Sequence, residues 1–193
     1  MERSELAFHL ALNLYAAVLI YLILLSGNLF SDQKINILIA ALGARTLSYL
    51  LNDHFWGGLL VSFPFVKNCG KTKICQYLIE SEKRLSKASS IHACTVYGSI
   101  VRGEFHDKSD LDVRYIRKSG IINAIGAASF AARERLIAFF SMIPLDSFVG
   151  DTEQFLDKMR DDEPPIIIKD STGSMAKRYS TYARLDLFIK TFC

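Results

Sequence analysis

The chain has 193 residues, which is enough for one soluble domain and a short additional element. Half of its residues are hydrophobic and its formal net charge is +3. A charge excess this small gives no strong nucleic-acid signal by itself. The mean hydropathy of +0.20 is high for a purely soluble protein and indicates a membrane-associated segment.

The first apolar segment, residues 7–30, contains no Asp, Glu, Lys or Arg. At about 1.5 Å per residue, a helix of this length crosses a hydrocarbon core of about 30 Å. A secretory signal peptide fits less well, because the lead-in MERSE carries acid as well as base and the apolar run is too long. A buried core helix is the other alternative to a membrane span.

A second apolar segment, residues 35–51, contains Arg45. It is interpreted as a second span or a re-entrant segment that packs on the first, so that the anchor is a single helix or a helical hairpin. The alternative is an amphipathic helix on the membrane surface. Trp56, Phe63 and Phe65 are expected at the membrane interface, where amphipathic rings are favoured.

The composition changes at residue 66, which divides a membrane-anchoring segment, 1–66, from a soluble domain, 67–193. Lys67, Lys71 and Lys73 follow the apolar region directly. Basic residues beside a span favour the cytoplasmic side of the membrane. The domain is therefore expected to face the cytoplasm.

The four cysteines are at positions 69, 75, 94 and 193, and none forms a C-x-x-C pair. Their spacing matches neither a zinc site nor a dense disulfide framework. Reduced thiols are expected in a cytoplasmic domain.

Helices and strands alternate along the soluble part, which predicts an α/β layer arrangement. The predicted elements, in chain order, are a helix over 71–89, a strand over 91–98, a short helix or turn over 99–105, a strand over 111–116, a helix over 120–142, a strand over 143–150, a helix over 152–159, a strand over 164–170 and a helix over 174–193.

A Gly98-Ser99 pair closes the first predicted strand. Glycine lets the backbone approach a ligand, and a serine at such a corner adds a hydroxyl beside the backbone N–H groups. Corners of this kind bind phosphate. The pair alone is a weak signal, because Gly and Ser are common in turns of every function.

Two carboxylates, Asp110 and Asp112, lie at the start of the second predicted strand. Side chains at i and i+2 of a strand point to the same face, and adjacent carboxylates repel one another unless a cation joins them. Mg²⁺ suits such oxygen donors. The alternative is a solvated edge strand with its charges outward. Arg114 follows on the same face and is expected to contact a phosphate or a carboxylate.

A third acid, Asp146, lies in the apolar strand over 143–150. If this strand pairs beside the strand of Asp112, three carboxylates converge, and such a set can hold two metal ions. The alternative is a turn residue after Pro144. The hypothesis requires Asp146 to point toward the other two acids, and it requires that no arginine fill the gap between them.

The run from Gly98-Ser99 through VRGEFHDKS to Asp110-Leu111-Asp112 resembles the signature of the DNA polymerase β-like nucleotidyltransferase superfamily. This run of residues is most similar to the motif of the minimal, MNT-type nucleotidyltransferase domains. The likeness covers about residues 91–170. It implies a palm-like α+β fold, with a mixed sheet flanked by helices.

The resemblance also implies roles for the acids. Asp110 and Asp112 would bind Mg²⁺, and Asp146 would complete the catalytic and metal site near the attacking hydroxyl, with two ions in all. An acceptor would attack the α-phosphate of a nucleoside triphosphate (NTP) in line and release pyrophosphate.

For the nucleotide, the resemblance implies that Gly98 and Ser99 hold the triphosphate. Arg102 matches an arginine of the minimal group and would contact phosphate or brace the turn. Arg114 departs from the pattern, because that position is often apolar in the family.

The sequence thus predicts a membrane-anchored, Mg²⁺-dependent nucleotidyltransferase. Its acceptor is unknown, and the anchor points to an envelope or lipid-linked precursor. The alternative is a catalytically inactive or partner-modifying module, as in toxin–antitoxin pairs. A third class is a structural membrane protein in which the acidic motif has no chemical role.

Overall fold

The structure is a computed structural model. It describes residues 3–27, 30–51, 58–60, 62–159 and 163–193. Trp56, which is expected at the membrane interface, lies outside the described residues.

Two helices, α1 (Arg3–Ser26) and α2 (Gln33–Leu51), form the N-terminal segment and pack against each other. In the described part of the chain, α1 alone is long and apolar enough to cross a membrane, over Leu6–Ser26 with a mean hydropathy of 2.1. Little of that stretch is covered by the rest of the protein. The second apolar segment is also helical, but α2 does not reach the same combination of length and hydropathy.

The domain after the N-terminal segment consists of helices packed on one mixed sheet. Its elements are α3 (Lys71–Lys87), β1 (Ile91–Tyr97), β2 (Leu111–Arg117), α4 (Ile121–Phe140), β3 (Leu145–Gly150), a 3-10 helix (Glu153–Lys158), β4 (Ile166–Asp170), α5 (Ser174–Arg178), β5 (Ala183–Arg184) and α6 (Leu185–Phe192).

The sheet has five strands in the order β3-β2-β1-β4-β5. Strand β1 is antiparallel to β2 and to β4, whereas β2–β3 and β4–β5 are parallel pairs. The predicted α/β class is therefore confirmed. The four predicted strands are present, and β5 is an additional short strand.

The two faces of β2 have different environments. Leu111, Val113 and Tyr115 are buried in the main hydrophobic core, which α3, α4 and α6 cover. Because side chains alternate along a strand, Asp112 and Arg114 lie on the opposite face. That face is covered by a smaller apolar cluster, which leaves room for a polar site beside it.

Residues 99–103 form successive turns, which is one of the two conformations predicted for 99–105, and Gly103 has a φ of +74°, which is incompatible with a helix. Two predicted helices differ in the structure. The helix predicted over 152–159 is a 3-10 helix, and Thr152 makes no side-chain cap to it. The stretch 174–193 forms two helices with β5 between them.

A disulfide joins Cys75 of α3 to Cys193, 118 residues later in the chain. The expectation of four reduced thiols is wrong for this pair, because no sequence spacing reports the packing of α6 on α3. Cys69 and Cys94 have free thiols. The disulfide fixes the C-terminal end of the chain to α3.

Helix α1 also contacts the domain directly. His9 of α1 lies 2.8 Å from Nη1 of Arg135 in α4, and both side chains are buried. Arg135 in turn donates to the carbonyl oxygen of Ser147 in β3. The N-terminal part of α1 is therefore held against the domain.

Candidate functional site

The pairing of β2 with β3 brings the predicted acids together. The two strands are parallel, and Asp112 is the register partner of Asp146. Parallel strands with a helical connection place equivalent residues side by side on one face. Asp110 lies immediately before β2. The expectation that the strand of Asp146 pairs beside that of Asp112 is confirmed.

Arg114 lies between two of these acids. Its Nη2 is 3.3 Å from Oδ1 of Asp112 and 3.2 Å from Oδ2 of Asp146. The requirement for an arginine-free gap is therefore not met. The expectation that Arg114 pairs with a carboxylate is confirmed, because it pairs with two.

The guanidinium of Arg114 is held by more than these ion pairs. Its Nη1 donates to the carbonyl oxygens of Val113 and Asp146, at 3.1 and 3.0 Å, and its Cζ lies 4.8 Å from the centre of the Phe148 ring. The residue is 8% exposed. Moving this side chain would break several contacts at once, so Arg114 is a fixed cation of the site.

The carboxylates carry more negative charge than Arg114 neutralises. Burial, followed by the charge of Asp110, raises the pKa of Asp112 to about 7. Burial also raises the pKa of Asp110. Oδ1 of Asp146 is buried and has no hydrogen-bond partner in the described part of the protein. An added cation would relieve this repulsion.

Two carboxylates of the site, those of Asp110 and Asp112, line one cavity. Among the described residues, no three His, Cys, Asp or Glu side chains form a group able to hold a metal ion. Asp110 and Asp112 offer two carboxylates, and Mg²⁺ commonly takes its other ligands from water and substrate phosphates. Between Asp112 and Asp146, however, Arg114 takes the place where the predicted second ion would bind.

The Gly98 turn lies directly against Asp112. Gly98 has a φ of +85°, and a Cβ at this position would lie well under 3.0 Å from Oδ2 of Asp112. The position therefore excludes any side chain on two grounds. The hydroxyl of Ser99 is buried and has no hydrogen-bond partner among the described residues.

Glu163 occupies the polar groups of this turn. Its carboxylate accepts a hydrogen bond from the backbone N–H of Gly98 at 3.3 Å and another from Nη1 of Arg102. Arg102 also donates through Nε to the exposed Glu104 at 2.7 Å. Sequence reasoning did not find Glu163, because it follows Gly98 by 65 residues and belongs to no local motif.

A cavity of about 260 Å³ unites these groups, and five of the six predicted site residues line it. Arg114 lines the cavity in place of Asp146. A second cavity, of about 360 Å³, shares Met159 and Glu163 with the first. Tyr97, which lines the first cavity, lies with its hydroxyl 2.6 Å from that of Tyr179, which lines the second.

These features are two carboxylates at the start of a strand, a glycine turn whose donors Glu163 occupies, and a fixed guanidinium. Groups of these kinds bind polyanions and divalent cations in proteins. Comparisons of the chain with known protein families, with curated proteins and with solved structures found no match.

Proposed function

We propose that the chain is a membrane-anchored nucleotidyltransferase with a palm-like domain that uses an NTP and Mg²⁺. One observation carries the proposal: Asp112 is seated against Gly98, so that the acidic pair and the phosphate-type turn share one cavity. A phosphate chain and its cation need both kinds of group within a few ångströms of each other.

The triphosphate would lie along the Gly98-Ser99 turn. The backbone N–H of Gly98, the hydroxyl of Ser99 and the guanidinium of Arg102 are all donors, and donors of these kinds bind phosphate oxygens. Among the residues that the structure describes, the buried Ser99 hydroxyl has no other partner, which supports this assignment.

Asp110 and Asp112 would hold a single Mg²⁺. The ion would supply neutralisation of the phosphate charge as pyrophosphate leaves. We propose one ion where the family resemblance implies two, because Arg114 already pairs with Asp112 and Asp146. Arg114 supplies a permanent positive charge at that position.

The reaction would be in-line displacement at the α-phosphate. An acceptor oxygen forms a bond to the α-phosphorus, the bond from that phosphorus to the bridging oxygen breaks, and pyrophosphate leaves. The residues contribute mainly by positioning the reactants and by fixed charges.

The anchor places the proposed chemistry at a membrane. Helix α1 is the membrane-span candidate, and the contact of His9 with Arg135 holds the domain close to it. A membrane-proximal acceptor follows, such as an envelope or lipid-linked precursor. Lys67, Lys71 and Lys73 favour the cytoplasmic side, where NTPs are available.

A second function, nucleotide binding without transfer, is favoured by Arg114. A guanidinium beside Asp146 does not coordinate an acceptor oxygen as a metal ion does. A site with one ion and one arginine could therefore hold Mg²⁺ and NTP as a signal to a partner protein. Such a module would resemble the non-catalytic members that many enzyme folds have.

Pyrophosphate release by the full chain in lipid vesicles, with each common NTP and a lipid-precursor extract, tests the proposal. Wild type is expected to release pyrophosphate, and Asp110→Asn and Asp112→Asn are expected to lose at least about 100-fold in rate, as when a transition-state charge stabiliser is removed. Asp186→Asn, at an exposed position outside the site, is the control. Binding of Mg²⁺ and NTP without pyrophosphate release would favour the second function. Absence of both binding and release would contradict both proposed functions.

A further inference from the structure

Glu163 makes the contacts that a bound phosphate would make. Its carboxylate accepts from the Gly98 N–H and from Arg102, the two donors assigned above to the triphosphate, and the residue is 5% exposed. A carboxylate and a phosphate oxygen use the same donors with similar geometry. The two anions therefore compete for one set of groups.

We infer that Glu163 is an internal anion that closes the phosphate turn and must be displaced before a polyphosphate binds. The inference rests on the proposed function, because it concerns regulation of the same site. The competition is electrostatic as well as steric. With Glu163 in place, an incoming phosphate meets a like charge beside Asp110 and Asp112, and the combined repulsion lowers its affinity.

The fold provides a place for the displaced side chain. Glu163 lies between the two cavities and lines both of them. The second cavity is lined by Arg178, Ser180 and Thr181, which carry a positive charge and hydroxyl groups. A carboxylate that leaves the Gly98 turn would find hydroxyl donors there and would share the Arg178 guanidinium with its present partner, Asp157.

A closed resting state has a measurable consequence. Ligand affinity is reduced by the fraction of molecules in which the binding-competent state is absent. Removing the charge of Glu163 removes both the competition and the repulsion. Glu104 is a matched control, because it pairs with the same Arg102 but is exposed and does not contact Gly98.

Isothermal titration calorimetry with inorganic tripolyphosphate, and separately with ATP, in the presence of Mg²⁺ tests the inference on the full chain in detergent. Glu163→Gln is expected to bind tripolyphosphate about tenfold more tightly than wild type, which corresponds to about 1.4 kcal/mol. Glu104→Gln is expected to stay within about twofold of wild type. Glu163→Ala repeats the test with a shorter side chain, and thermal melting confirms that each variant folds.

Equal tripolyphosphate affinity in wild type and in both Glu163 variants would overturn the inference. Weaker binding by the variants would also overturn it, since Glu163 would then brace the turn. The proposed function fails separately: if Glu163→Gln binds tripolyphosphate more tightly but no variant releases pyrophosphate from any NTP, the closing role stands and the transferase activity does not.

Discussion

At the scale of single residues, the site depends on the close approach of Asp112 to the Gly98 backbone. A side chain at position 98 would have to occupy the space of the Asp112 carboxylate and also adopt a positive φ. Gly103 provides a natural comparison, because it has a φ of +74° but no atom within 4 Å of a built Cβ. Comparing a substitution at Gly98 with one at Gly103 therefore distinguishes the cost of steric exclusion from the cost of backbone strain.

Gly98→Ala is expected to lower the free energy of unfolding more than Gly103→Ala. Backbone strain alone costs about 1–2 kcal/mol for a non-glycine residue at positive φ, and displacement of Asp112 adds about 1–3 kcal/mol. Urea denaturation followed by circular dichroism in detergent measures both. Equal costs for the two variants would show that Asp112 does not lie against the turn.

The ionisation of Asp112 gives a second prediction at this scale. Its pKa is raised to about 7 by burial and by the charge of Asp110, whereas an unfolded aspartate titrates near about 3.9. Between these values the folded state holds a proton that the unfolded state has lost. Stability should therefore fall as pH rises from about 4 to about 7 and level off above that.

Asp112→Asn should remove much of this fall and make the protein more stable than wild type at pH 8, by on the order of 2 kcal/mol. Denaturation in EDTA at several pH values measures the effect without divalent cations. Asp186→Asn, at an exposed position, should reproduce the wild-type profile. A wild-type curve with no fall between pH 4 and 7 would contradict the buried, repelled carboxylate.

Single residues also show what the sequence could and could not predict at the site. Gly98, Asp110 and Asp112 lie close together in the chain, so spacing and strand alternation were enough to place them in one site. The alternation placed Arg114 on their face, but the choice of Asp112 and Asp146 as its partners depends on packing. Glu163 was not predictable, because its contacts cross the sheet from a distant segment.

At the scale of elements, the strand–helix–strand order from β2 through α4 to β3 explains why the acids meet. A helical crossover between neighbouring strands gives a parallel pair, and here the pair aligns Asp112 with Asp146. This part of the fold follows from periodicity. The turns after Gly98 and the division of the last predicted helix do not, because glycine geometry and the pairing of β5 with β4 decide them.

Helices α3 and α4 are joined by a buried ionic network. Glu134 of α4 is 0% exposed and accepts hydrogen bonds from Arg84 at 2.6 and 2.9 Å, from Tyr77 at 3.0 Å and from Ser81 at 3.1 Å. Every donor comes from α3. The network fixes α4, and therefore the crossover that sets the register of β3.

Glu134→Ala is expected to lower the free energy of unfolding by about 3–5 kcal/mol, because it leaves Arg84 and two hydroxyl groups partly buried without their acceptor. Glu134→Gln should cost less, since the amide oxygen still accepts. The exposed Glu82→Ala should stay within about 0.5 kcal/mol of wild type. Urea denaturation measures the stability of all three variants. A Glu134→Ala variant as stable as wild type would contradict the network's role.

At the scale of the whole molecule, an apolar helix and a polar cavity are tied into one structure. His9 and Arg135 connect α1 to α4, while the disulfide of Cys75 and Cys193 ties the C-terminal end to α3. The sequence predicted the long apolar helix α1 because an uncharged apolar run is a strong local signal. It did not predict either tie, because each joins residues more than a hundred positions apart.

The side of the membrane can be determined from the thiols. Disulfides persist in oxidising compartments and are rare in the cytoplasm. The structure holds Cys75 and Cys193 as a disulfide, with Cys69 and Cys94 free. If the domain nevertheless faces the cytoplasm as proposed, this bond forms only after lysis, so alkylation in intact cells should modify Cys75 and Cys193, and alkylation after purification in air should not. Mass spectrometry counts the modified cysteines. A disulfide already present in intact cells would contradict the cytoplasmic orientation.

The most direct test of the central claim is thermal melting of the full chain in detergent with each common NTP, in Mg²⁺ and in EDTA. The account predicts that at least one NTP at saturating concentration raises the Tm by about 5 °C in Mg²⁺. EDTA should abolish this rise, as should the double variant Asp110→Ala, Asp112→Ala. No shift with any NTP at millimolar concentration, or an equal shift in the double variant, would contradict a nucleotide site built on these two acids and the Gly98 turn.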